Sequence, residues 1–159
     1  MHTTRLLHAA TLCAMLAAPT LAHADVDSSV DAVSVPIDAA TLRDLPRQRA
    51  QMDVHGQALD CTGVTLAALL QKTRAMPTTP LRGPQLARVV DVQAADGDRV
   101  VFSLGELDAS LVPAQVILAD QCQGKPLDTH DGPLRLIVPG DARPARSVRR
   151  VTRITVRTP

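Results

Sequence analysis

The sequence predicts an α+β fold, a single mostly-β mixed domain with two or three short helices. Three observations point there. Short runs that alternate apolar and polar residues recur along the chain, as in Val33–Ile37 and Arg150–Val156. Glycine-centred turn signals, His55-Gly56 and Asp96-Gly97, sit between pairs of such runs, which is the pattern of β-hairpins. Helical spacing of apolar residues is confined to short stretches, the clearest holding Leu66, Leu69 and Leu70.

The first residues carry a targeting pattern. Met1–Arg5 has one positive charge, Leu6–Leu21 is apolar and rich in Ala and Leu, and Ala22-His23-Ala24 is a small-x-small cleavage site. Residues 1–24 are therefore expected to be a secretory signal peptide, and the product periplasmic. Pro19 and the cleavage site end the apolar run below spanning length, so no stable membrane insertion is expected after cleavage. Cys13 follows Leu12, not the small residue of a lipoprotein site, and leaves with the signal. Residues 25–32 are small and polar, a flexible leader, and the domain is expected over residues 33–159.

Each element has its own local reason. Val33–Ile37 reads as a strand, and Pro36 places it at a sheet edge. Asp38 can cap a helix over Ala39–Leu45 that Pro46 closes. Arg49–Val54 and Gln57–Thr62 form a hairpin about Gly56, and Gly63-Val64 leads into a helix over Thr65–Thr73. Met76–Pro84, with three prolines and a glycine, is a loop. Ala87–Gln93 and Arg99–Phe102 pair around Asp96-Gly97, and Ser103 with Glu106 has capping-box spacing for a helical turn. Val116–Ala119 and Leu134–Val138 read as buried strands separated by the turn QCQGKPL. Arg150–Val156 closes the chain as a strand with one wet face.

Composition narrows the function classes. The formal net charge is +1, which gives no reason to expect non-specific nucleic-acid binding. Phe102 is the one aromatic residue, which further weakens the case for a stacking-based nucleic-acid role, and the core must be built from aliphatic side chains. Beyond the signal, Cys61 and Cys122 remain. An oxidising compartment permits one bridge between them; two separate, partly buried thiols are the alternative.

Few residues can carry chemistry. No Gly-x-Ser-x-Gly elbow exists, Ser103 reads as a cap, and His55 as an exposed turn residue. Asp128, His130 and Asp131 are close enough in sequence to hold a metal, and a polar turn ahead of a strand explains them as well. Arg143, Arg146, Arg149 and Arg150 follow the Pro139-Gly140 turn. Guanidinium groups bind phosphate and carboxylate bidentately, so a loop presenting several suits a small anion; a solvated basic strand edge is the plainer explanation.

From Leu42 to Val156 the chain resembles the sulfite-oxidase-type molybdopterin-binding oxidoreductase domain, in a short stand-alone form. The residues that carry the likeness begin with Gly63-Val64-Thr65-Leu66 through Leu69-Leu70 and Phe102-Ser103-Leu104-Gly105-Glu106-Leu107. Leu118-Ala119, Gly124-Lys125-Pro126-Leu127 and Gly132-Pro133-Leu134-Arg135 through Val138-Pro139-Gly140 follow. Ala145-Arg146-Ser147-Val148-Arg149 and Ile154-Thr155-Val156 complete it. The resemblance implies a mainly-β mixed fold and, in the family's enzymes, a phosphate-tailed pterin holding molybdenum that a cysteine thiolate ligates. Oxygen-atom transfer at that metal, to or from substrates such as sulfite or sulfoxides, is the implied activity. It also implies that His130, Arg146 and Arg149 belong to the segment that meets the cofactor, with Arg149 where the family usually has lysine.

Two departures shape the expected function. The family's metal-binding cysteine lies in a Cys-Ala-Gly-like loop well upstream of the Gly-Val-x-Leu helix; here the Arg49–Thr62 hairpin runs straight into Gly63, and Cys61 does not match that ligand. Ser or Asp would be poor substitutes for a soft thiolate. The resemblance further implies loading in the cytoplasm and export of the folded enzyme on a twin-arginine signal, whereas Arg5 stands alone in residues 1–6. The expectation is an exported domain without a molybdenum-ligating cysteine or a bound cofactor, acting on a small anion or a partner protein through Arg143–Arg150. A molybdopterin-dependent oxidoreductase is the competing expectation, its metal held by pterin alone or by Cys61 or Cys122.

Overall fold

The computed structural model of the chain describes residues 32–54, 56–113 and 115–159; the expected signal peptide, most of the leader and His55 lie outside them. Nine strands, two α-helices and three 3-10 turns make up the described residues: β1 Val33–Val35, α1 Ala39–Arg43, β2 Arg47–Val54, β3 Gln57–Thr65 and α2 Leu66–Lys72 come first. β4 Val89–Ala94, β5 Arg99–Ser103, β6 Ile117–Cys122, β7 Lys125–Pro126, β8 Arg135–Ile137 and β9 Val151–Arg157 follow, with 3-10 turns at Gly83–Ala87, Leu104–Leu107 and Pro144–Arg146. None of the described helices is long and apolar enough to cross a membrane.

The strands form two sheets. One is four-stranded in the order β1-β9-β4-β5, with β1 at the edge as Pro36 predicts. The other runs β2-β3-β6, and β7 and β8 pair in turn with the far side of β6. The two glycine hairpins form with the expected partners, Val54 opposite Gln57 and Gln93 opposite Arg99. At the β3–β6 contact the register shifts between Thr62 and Gly63. A Cβ on Gly63 would lie 2.1 Å from the Leu118 carbonyl oxygen, so only glycine lets the two backbones come this close.

The main core lies between the sheets. Val90, Val92, Ile154 and Val156 meet Val64, Leu118 and Leu136, with Leu66, Leu69 and Leu70 of α2 filling one end. Each such leucine contributes roughly 1.5–3 kcal/mol on burial. Thr65 caps α2 by accepting from Ala68 N at 3.0 Å. A smaller cluster of Ala50, Met52, Cys61, Ile117, Ala119 and Ile137 occupies the other face of the second sheet. Both faces are thus covered at Ile117–Ala119 of β6 and along β8, which is why Val116–Ala119 and Leu136–Val138 read as apolar runs.

Several boundaries differ from the sequence reading. The first helix ends at Arg43, capped by Asp44, because Pro46 bars the preceding Leu45 from helical geometry; Leu45 turns into the core instead. Part of the proline-rich loop forms the Gly83–Ala87 turn, with Pro84 in its opening positions, and delays β4 to Val89. Gln123 and Gly124, both at positive φ, turn β6 back into the two-residue strand β7. The Ser103–Glu106 capping box forms as expected. Cys61 and Cys122 sit directly opposite each other on β3 and β6 and are joined by a disulfide, which settles the cysteine alternatives.

Candidate functional site

The site is built on the turn that precedes β8. Asp128 Oδ1 accepts from the backbone N–H groups of His130 (2.9 Å) and Asp131 (3.0 Å), and its carbonyl accepts from Gly132 N (2.7 Å). A side chain on Gly132 would come within 2.8 Å of Leu127 Cβ, so the turn demands glycine there. The segment before β9 is laced onto this turn: Leu136 N donates to Val148 O, Arg150 N to Asp131 O and Val151 N to Leu134 O. Arg150 takes φ +51°, and the resulting bend brings Arg149 against His130.

Asp131 is the hub. Its Oδ2 accepts from Arg135 Nη1 at 2.6 Å, and its Oδ1 lies 2.9 Å from His130 Nδ1 and 3.7 Å from Arg149 Nη1. A carboxylate only accepts, so Nδ1 carries the hydrogen. Arg149 Nη1 is 3.1 Å from His130 Nε2 and 3.4 Å from Nδ1. Near-equal distances to both ring nitrogens place the guanidinium over the imidazole face, not in line with the Nε2 lone pair. Arg135 is buried, 8% exposed, and its Nε finds no hydrogen-bond partner among the described residues.

These residues line a groove of about 420 Å³ between the end of β2 and the 144–149 segment. Val54, Pro144 and Ala145 supply its apolar wall, and Arg135 and Arg149 with His130, Asp98 and Asp131 its polar one. The donor atoms of Asp128, His130 and Asp131 lie within 4.8 Å of one another. Asp128 Oδ1 is already committed to two backbone N–H groups, however, and both Asp131 oxygens face guanidinium or imidazole donors. Two arginines beside the cluster repel a cation, so the geometry is that of a polar turn.

Arg146 lies elsewhere. It lines a separate 150 Å³ cavity with Phe102, Glu106 and Asp141. Its Nε and Nη2 donate to Asp141 at 3.0 and 2.6 Å, its Nη1 donates to Glu106 at 3.0 Å, and the guanidinium stacks 4.8 Å from the Phe102 ring centre. The Asp141 carboxylate holds the arginine well above its ordinary pKa. Arg146 in turn holds Asp141 below the usual carboxylate range. Burial pushes Glu106 up, but the Ser103 backbone N–H and Arg146 outweigh it and leave the group below its ordinary value.

The structure therefore brings His130 and Arg149 together and sets Arg146 apart. Arg135 and Asp131 are the members that arginine spacing alone did not single out. A charged residue inside the apolar run Leu134–Val138, four positions after an aspartate, was the available signal.

A mostly-β domain of two sheets about a main core, with an arginine- and aspartate-lined groove where the chain returns from β8 to β9, is the class that fold and geometry define. A family model described as the oxidoreductase molybdopterin binding domain matches residues 23–159, and the chain belongs to that family. No curated protein matches it.

Proposed function

We propose that this chain is an exported member of the sulfite-oxidase-type branch, and that it binds a small anion in the His130–Arg135–Arg149 groove without a molybdenum centre. One observation carries the reading. Two arginines, Arg135 and Arg149, line one groove, while both cysteines of the described residues are tied to each other. A disulfide sulfur is no thiolate, so the donor set of the described residues does not fit the family's metal. The targeting pattern of residues 1–24 supports export to the periplasm, an oxidising compartment in which the disulfide persists. Nucleic acid and a membrane-spanning segment have no part in the proposal; a partner protein presenting the anion is compatible with it.

Family membership favours the second reading, a molybdopterin-dependent oxidoreductase. That reading needs a metal ligand other than Cys61 or Cys122 in their bridged form. The anion reading is tested by calorimetric titration with sulfate. Arg149→Ala is expected to weaken binding at least roughly tenfold, the ~1.4 kcal/mol scale of a charge-assisted hydrogen bond, with an unchanged melting temperature. Equal affinity of variant and wild type would refute the groove as the site.

A further inference from the structure

We infer that His130 is a positioning residue for Arg149, and that its protonation couples anion binding in the groove to pH. The inference rests on the anion reading above. The Arg149 guanidinium lies over the His130 ring, 3.1 Å from Nε2, where a neutral imidazole offers a weakly attractive π-face to a cation. Nδ1 is held by Asp131 Oδ1 at 2.9 Å, which fixes the hydrogen on Nδ1 and the ring orientation in both protonation states. Proton uptake therefore occurs at Nε2, beside Arg149. The stacked arrangement becomes a contact between two like charges, and Arg149 is released from the ring to meet another acceptor.

The surroundings decide where that acceptor comes from. Asp131 faces the ring from the same turn and is already shared between Arg135 at 2.6 Å and Arg149 at 3.7 Å. Asp128 spends Oδ1 on two backbone N–H groups. Asp98 of the β4–β5 turn lines the groove, as do Arg135 of β8 and Arg149 itself. With His130 charged, three cationic groups face one shared and one outlying carboxylate, and a bound anion is the partner that balances them. By linkage, the anion is bound with proton uptake at His130.

Sulfate titrations at about pH 8 and about pH 5, the range over which imidazoles change charge, test this with a probe whose own charge is constant. Wild-type affinity is expected to rise roughly fivefold toward acid, the scale of one added unit charge near the ligand in a solvated site. Repeating the titration near pH 6.5 in buffers of different ionisation enthalpy should show proton uptake on binding. His130→Gln, checked for fold by its melting temperature, should lose both the uptake and the pH dependence. A His130→Gln protein that keeps them, or a wild type that lacks them while still binding sulfate, overturns the role of His130. No sulfate binding at either pH instead overturns the anion site on which the inference rests.

Discussion

Arg146 and Arg149 stand three residues apart, and Ser147 and Val148, both buried between them, hold the intervening chain against β8. Arg149 is stacked on an exposed histidine, with one carboxylate, that of Asp131, at 3.7 Å. Arg146 has two carboxylates and an aromatic face, so its charge is already used within the fold. Arg146→Ala should lower stability by about 1–2 kcal/mol, a sum of a cation–π contact and two ion pairs discounted for solvent screening, and leave sulfate affinity intact. The sign with pH follows from the carboxylates. Asp141 and Glu106 are depressed in the folded state, so their stabilisation is present above their unfolded values and is lost as pH falls through the folded ones. Denaturant titrations should therefore show the stability gap between wild type and variant closing toward acid. A gap that widens there, or a loss of sulfate binding in the variant, would assign Arg146 to the groove after all.

At the scale of elements, the β3–β6 pair holds the second sheet together. It places the close backbone approach at Gly63 beside the bridged Cys61 and Cys122, which are 61 residues apart in sequence. Removing the bridge with Cys61→Ala and Cys122→Ala together should cost about 2–4 kcal/mol, mainly by freeing a long loop in the unfolded chain. Chemical denaturation reads this directly, and an unchanged midpoint would mean the thiols are unbridged in solution. The hairpins, the α2 helix and the Ser103 cap were legible in the sequence because their determinants lie within a few residues of one another. Asp131 with Arg135 is also local, at four residues, but reads as part of a polar turn until β8 is seen to bury the arginine. The partners that decide the site are not local: Arg149 meets His130 across 19 residues and Arg146 meets Glu106 across 40, and no periodicity encodes such contacts.

For the whole molecule, family membership and cysteine chemistry pull in different directions. The family supplies the fold. The described chain offers no free thiolate to a metal, because β3 and β6 bring its two cysteines into register and join them. Molybdenum and pterin analysis of the protein purified from the compartment it naturally occupies is the most direct measurement. The absence of a molybdenum centre predicts molybdenum far below one atom per chain and no pterin fluorescence after oxidation. Stoichiometric molybdenum with pterin would contradict it.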